Sequence, residues 1–311
     1  MTGVRKRISV MIPTYNECEN VEPISRAVRA LFDGELSRYE LEILIIDNAS
    51  TDGTRERIRA LCAEDARIKA IFNARNFGQF LSPFYGICQT TGDCVIPLCA
   101  DFQDPVSLIP TFVAYWERGY AVVCGVKEKS REGAVVRAAR TLYYKLIRRF
   151  SSVEQIEHFT GFGLYDRRFV DVLRALDDPT PFLRGVVAEL GFARVLVPYT
   201  QEKRRSGRTK NNFATLYDAA MHSFTTYTRF PIRVMMGVGV LAVFLSVIGL
   251  ICAFWHQAPL ACLFFALLLL FGVNAAFLSA LGEYLLLLRA KVIRRPLVIE
   301  ECRLNFSEGE P

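Results

Sequence analysis

Within its first hundred or so residues the chain repeatedly runs a short apolar stretch into a polar turn that carries a carboxylate, and this repetition restricts it to few architectures. Ile8-Ser9-Val10-Met11-Ile12-Pro13 is stopped by proline ahead of Glu17. Leu41-Glu42-Ile43-Leu44-Ile45-Ile46 ends at Asp47-Asn48-Ala49-Ser50, and Cys94-Val95-Ile96-Pro97-Leu98-Cys99 ends at Ala100-Asp101-Phe102-Gln103-Asp104-Pro105. Ile68–Phe72 reads as a further strand, while Val21–Phe32, Thr54–Ala63 and Gln79–Gln89 carry apolar residues at helical spacing. Strands that alternate with helices across short connections predict a mostly parallel sheet covered on both faces. Ligands of such sheets bind at the carboxyl ends of the strands, so Pro13–Glu17, Asp47–Ser50 and Asp101–Gln103 are expected along one rim.

The second part of the chain is less regular. Helices are expected over Val136–Phe150 and Arg168–Ala175, a strand over Phe192–Val197, and a basic loop over Lys203–Lys210. Asn212–Phe230 has the three- and four-residue apolar spacing of an amphipathic helix. Val234–Trp255 and Pro259–Gly282 contain no Asp, Glu, Lys or Arg, and each exceeds the roughly 20 apolar residues that a membrane span requires. The 311 residues include 38 Lys+Arg and 32 Asp+Glu and are 51% hydrophobic, too apolar for disorder and too charged for an all-membrane bundle.

Four parts are therefore expected: an α/β domain over residues 1–210, a juxtamembrane amphipathic helix over 211–232, a two-helix transmembrane hairpin over 233–289, and a tail over 290–311, short, acidic at its end and disordered beyond Leu297. Basic residues precede the first apolar stretch and follow the second, with only His256-Gln257-Ala258 between the two, and Met1–Arg7 followed by Ile8–Pro13 does not make a signal peptide. The expected location is the cytoplasmic (inner) membrane, multi-pass, with the main domain and both termini in the cytoplasm. Nine cysteines without a CxxC pair fit reduced thiols.

Glu17, Asp47, Asp101, Gln103 and Asp104 are oxygen-bearing residues at strand ends, the donors that Mg²⁺ or Mn²⁺ prefers when phosphate and water complete the shell. Taken singly, each is equally a turn or helix-capping residue. The sequence has neither G-x-x-x-x-G-K-[ST] nor G-x-G-x-x-G after a strand, which weighs against P-loop and dinucleotide-binding chemistry. His158 and His222 stand in no recognisable nucleophile arrangement. The basic loop is either a patch attracted to anionic headgroups or a phosphate clamp, and the two are compatible.

Ile12-Pro13-Thr14-Tyr15-Asn16-Glu17, Ile46–Gly53, Asn76-Phe77-Gly78 and Ala100–Pro105 resemble, in order and spacing, the family 2 glycosyltransferases, and most of all the polyprenyl-phosphate branch that includes bactoprenol glucosyltransferases and dolichyl-phosphate mannose synthase. Phe182-Leu183-Arg184-Gly185 and Arg205-Ser206-Gly207-Arg208-Thr209-Lys210 extend the resemblance. It implies a GT-A fold and inverting transfer of a sugar from a UDP- or GDP-linked donor to polyprenyl phosphate. It further implies Pro13, Tyr15 and Glu17 beside the nucleotide, and Asp47 with Asn48 at base or ribose. Asp101 and Gln103 would hold Mg²⁺ or Mn²⁺, and Arg205, Arg208 and Lys210 would close over phosphate. Membrane lipids and a homo-oligomer are expected partners, nucleic acid is not.

Three departures stand out. The usual Asp-x-Asp reads Cys99-Ala100-Asp101, the usual Asp-Asp pair after the second strand reads Asp47-Asn48, and a Gly-Asp-Phe-Arg segment reads Thr160-Gly161-Phe162-Gly163, so metal dependence, nucleotide preference or sugar are expected to differ. Two other readings stay open: a glycosyltransferase acting on a sugar or glycolipid hydroxyl, for which Asp104 is the catalytic base nearest in sequence, and a non-catalytic membrane scaffold with a degenerate metal site.

Overall fold

The computed structural model describes residues 5–129, 156–176, 178, 181–202, 241, 244, 248, 259–292, 296–307 and 309–310. The chain divides into two compact units, one formed by Met1–Ala138, Gln155–Lys210 and Arg295–Pro311, the other by Ala139–Glu154 and Asn211–Arg294. In the first unit β1 (Arg7–Thr14), α1 (Val21–Asp33), β2 (Glu40–Asp47), α2 (Thr54–Glu64), β3 (Ile68–Asn73), α3 (Gly78–Gln89) and β4 (Cys94–Pro97) alternate as the apolar pattern predicts. They are followed by α4 (Ile109–Glu117), β5 (Val122–Lys129), β6 (Phe159–Asp166), α5 (Arg167–Ala175), α6 (Leu183–Glu189) and β7 (Arg194–Thr200), and the chain returns at its end as β8 (Glu300–Leu304).

The strands form one eight-stranded sheet in the order β7-β5-β6-β4-β1-β2-β3-β8. β1 pairs in parallel with β2 and β4, β2 with β3, and β5 with β7, whereas β6 and β8 run antiparallel to their neighbours. Successive side chains on a strand point to opposite faces. Accordingly Val10, Ile12, Ile43 and Ile45 join one core with α1, α2 and α4, while Met11, Leu44 and Ile46 join a second core with α3, α5 and α6. Both faces are apolar, and this is why these strands read as unbroken hydrophobic runs rather than alternating ones. α1 buries Val21, Ile24, Val28 and Phe32 at helical spacing, each burial worth about 1.5–3 kcal/mol.

β6 enters between β4 and β5 and needs Gly163 there: a Cβ at that position would lie 2.1 Å from the Val123 carbonyl oxygen.

The expected disordered tail is corrected. Residues beyond Leu297 form β8, which pairs antiparallel with β3 through Ala70↔Leu304 and Ile71↔Arg303. Asn305 donates to the Cys62 and Ile68 carbonyls, and Glu310 forms a 2.7 Å ion pair with Lys69. These contacts lie far from the tail in sequence, and no local pattern reports them.

The second unit contains α7, Pro259–Val292. A membrane-crossing helix needs an unbroken apolar run of roughly 20 residues. Among the described residues no helix is long and apolar enough to cross a membrane. The expected location, a multi-pass protein of the cytoplasmic membrane, is corrected accordingly, and the two-helix hairpin is not part of the described fold. The expected helices over Val136–Phe150 and Asn212–Phe230 and the basic loop with Arg205, Arg208 and Lys210 lie outside the described residues, as does nearly all of Val234–Trp255.

At the start of β2 the buried Glu42 accepts from Thr91 through its backbone N–H and hydroxyl, from Ser9, and from Lys69 at 2.9 Å. Burial pushes its carboxyl up, but the hydrogen bonds from Ser9, Lys69 and Thr91 outweigh that and hold it below its ordinary value. Glu42 therefore contributes stability that is present above the unfolded value and lost as pH falls through the lower folded one. Lys69→Met leaves that carboxylate short of its cation and should destabilise by about 3 kcal/mol. The loss should be larger at pH 7 than at pH 4, as measured by urea unfolding at both.

Candidate active site

Chain that leaves the carboxyl end of a buried parallel strand must turn at once, and here the turns use left-handed backbone. Asn16, Ala49 and Phe102 have φ of 56°, 63° and 59°, a conformation uncommon outside glycine and costing about 1–3 kcal/mol where the side chain gives no help. Each lies within two residues of a rim side chain named from the sequence: Tyr15 and Glu17, Asp47 and Asn48, Asp101 and Gln103. Asn16 Oδ1 accepts from the Thr51 N–H at 2.8 Å, and the Asn16 N–H donates to Ser50 Oγ at 2.8 Å, tying the first rim turn to the second.

Asp47 is fully buried. Its Oδ2 accepts from the Ser50 N–H at 3.0 Å and from Arg55 Nε at 3.0 Å, so the carboxylate builds its own turn. Asn48 extends that turn to the next strand end. Its Nδ2 donates to Asn76 Oδ1 at 2.9 Å and to the Gly78 carbonyl at 3.2 Å, while its Oδ1 accepts from Asn73 Nδ2 at 3.1 Å and the Phe77 N–H at 2.9 Å. Glu17 accepts from Asn20 at 2.6 Å at the start of α1.

A cavity of about 400 Å³ opens at this rim, and its lining includes Pro13, Tyr15, Asn48, Asp101, Gln103 and Asp104. The sequence-named Glu17 and Asp47 are not among the lining residues. Cys99, Lys127 and Arg184 also line it, with Phe80 and Phe182 in edge-to-face contact at 5.7 Å. Asp101 Oδ1 accepts the Gln103 N–H at 3.1 Å. Asp104 Oδ1 accepts from the Tyr199 hydroxyl at 2.6 Å. Burial raises the Asp104 carboxyl above its ordinary value, against the Tyr199 hydrogen bond and the Lys127 charge. Burial lowers Lys127, against the nearby Asp104. Cys99 opens onto the cavity. A protonated thiol is a soft, neutral ligand and does not replace the missing carboxylate.

The sequence alone does not mark Lys127, Arg184 or Tyr199 as site residues. Lys127 follows the apolar run Ala121–Val126 but lies within β5, so it lacks the strand-end signal of Asp47. Arg184 sits inside the quoted Phe182–Gly185 motif. Tyr199 reaches Asp104 across the sheet and leaves no local trace.

Because the Asp104 carboxyl is raised on folding, its stabilising contribution is full below the unfolded value and is lost as pH rises through the folded one. Asp104→Asn keeps an acceptor for Tyr199 and should raise the thermal midpoint at pH 7 relative to wild type while leaving it unchanged near pH 3.5. A midpoint lower at pH 7 would mean that pairing with Lys127 outweighs the burial penalty.

Comparison with known proteins identifies the family of the chain. The family described as glycosyl transferase family 2 matches residues 9–174. The bactoprenol glucosyl transferase of Shigella phage SfX is 29% identical over 308 residues, covering 96% of this chain and 99% of that protein. The prophage bactoprenol glucosyl transferase homolog of Escherichia coli (strain K12) is 30% identical, covering 75% of this chain and 76% of that protein. Among solved structures, the mannosyltransferase PcManGT from Pyrobaculum calidifontis in complex with GDP-Man and Mn²⁺ aligns at 18% identity with a TM-score of 0.47, covering 93% of this chain and 81% of that one. With the family match spanning more than half of the chain, from β1 into α5, the protein belongs to glycosyl transferase family 2 and is a glycosyltransferase.

Proposed function

We propose that the chain transfers a sugar from a UDP- or GDP-linked donor to the phosphate of a polyprenyl phosphate, with inversion at the anomeric carbon. The observation that carries this reading is a single cavity whose lining combines Asp101, Gln103 and Asp104 with the cations Lys127 and Arg184, beside Tyr15 and Asn48. The names of the bactoprenol relatives support the acceptor.

In the reaction a phosphate oxygen of the acceptor bonds to the anomeric carbon while the bond from that carbon to the diphosphate breaks on the opposite face. The acceptor is anionic at neutral pH, so positioning and charge neutralisation matter more than a base. Lys127 and Arg184 supply positive charge to the phosphate oxygens, and Arg205, Arg208 and Lys210 hold the acceptor phosphate. Pro13, Tyr15 and Asn48 border the nucleotide. Asp104 holds the Tyr199 hydroxyl, and its charge acts on the nearby Lys127. A hydroxyl acceptor would need a free base, and Asp104 is 5% exposed with its Oδ1 already taken by Tyr199, which makes that reading the weaker one.

Among the described residues no three His, Cys, Asp or Glu side chains converge as a ready metal site. The donors present, the Asp101 carboxylate and the Gln103 amide, fit Mg²⁺ or Mn²⁺ if the diphosphate and water provide the remaining ligands. Bound there, the ion would offset charge on the departing diphosphate.

Incubation of the protein with radiolabelled UDP- and GDP-sugars and undecaprenyl phosphate should give labelled lipid from one donor class. Asp101→Ala and Lys127→Ala should each lower kcat by about 10²-fold or more, and EDTA should act like Asp101→Ala. No labelled lipid from any donor, with transfer instead to a sugar hydroxyl, would overturn the assignment of the acceptor.

A further inference from the structure

β8 returns to the sheet after a long excursion of the chain and brings one carboxylate to the rim. Glu301 Oε2 lies 2.8 Å from Arg55 Nη2, while Arg55 Nε lies 3.0 Å from the buried Asp47 carboxylate. The same Nη2 donates to the Asn73 carbonyl at 3.0 Å, where the β3–β8 ladder shifts register between Phe72 and Asn73. One guanidinium thus ties together the ends of β2 and β3 and the start of β8. Two of the groups it holds bear on Asn48: Asp47 precedes Asn48 in its turn, and Asn73 Nδ2 donates to Asn48 Oδ1. Asn48 lines the cavity, whereas Asp47, Arg55 and Glu301 do not.

We propose that Arg55 is a positioning residue of the nucleotide site and that β8, through Glu301, is part of that site's support although it touches no substrate. The proposal rests on reading the cavity as a nucleotide site. An Asp47 carboxylate turned away from the cavity and neutralised by Arg55 acts on the donor through the shape of the Asp47–Ser50 turn. Glu301 fixes the far side of the guanidinium, whose planar fork engages several acceptors at once, as a lysine in its place would not.

The Glu301 side chain is half exposed, and surface ion pairs of that kind add little stability. Loss of Glu301 should therefore show in binding rather than in folding. The test is calorimetric titration of UDP and of GDP, with Mg²⁺ or Mn²⁺, into the full chain as wild type, Glu301→Gln, Arg55→Lys, Arg55→Gln and the Glu301→Gln/Arg55→Gln double variant. Glu301→Gln should weaken nucleotide binding about 3-fold with an unchanged thermal midpoint, Arg55→Gln about 10-fold or more, and the double variant no further than Arg55→Gln alone, because residues acting through one another are not additive. Arg55→Lys should fall between wild type and Arg55→Gln, and with Glu301→Gln it decides the matter if Arg55→Gln does not fold. Wild-type affinity in Glu301→Gln, or additive losses in the double variant, would overturn the proposal while leaving the nucleotide site intact. Failure of the wild type to bind either nucleotide would overturn the nucleotide-site reading itself, and this proposal with it.

Discussion

The parallel pairing of β1 with β2 and β4, and of β2 with β3, is the constraint on which the site depends. It carries successive strand ends to one rim, where the backbone has no further ladder partner and must reverse. The reversals pass through Asn16, Ala49 and Phe102 in left-handed conformation, and their strain is held by the buried sheet beneath. Strain of this kind persists where the surrounding structure over-determines it. Here that structure is a core on both sheet faces and a set of side-chain to backbone hydrogen bonds that lock one turn to the next.

Carboxylates that look alike in the sequence have different fates at this rim. Asp47 is consumed by its own turn and by Arg55. Asp101 and Asp104 both line the cavity, Asp101 accepting the Gln103 N–H and Asp104 the Tyr199 hydroxyl. Glu17 secures the start of α1. The neutral Cys99, where the resemblance expects an acid, leaves a cavity with fewer negative charges to oppose the approach of a diphosphate.

The first half of the fold was legible because each element there is set by its own residues. The expected helix Thr54–Ala63 is observed as Thr54–Glu64 and Gln79–Gln89 as Gly78–Gln89, and the Cys94 strand begins where expected. Pro13, Tyr15, Asn48, Asp101, Gln103 and Asp104 meet in one cavity because strand ends in a parallel sheet meet by topology. What the sequence hid depends on long-range pairing. The segment Glu300-Glu301-Cys302-Arg303-Leu304 carries charges on both sides of a short apolar residue, the mark of a solvated tail, and becomes a strand because β3 offers it an edge and Arg55 and Tyr85 offer partners to Glu301 and Glu300. Likewise Tyr199 and Lys127 join Asp104 only through the insertion order of β5 and β7 in the sheet.

On the proposed function, this cavity takes a nucleoside diphosphate against Asp101. The most direct measurement is a crystal structure of the chain grown with UDP or GDP and Mn²⁺, with anomalous diffraction recorded for manganese. Nucleotide density is expected along Tyr15 and Asn48, with the manganese peak at the Asp101 carboxylate and the diphosphate oxygens. A nucleotide seated elsewhere on the chain, or a manganese peak remote from Asp101, would contradict it.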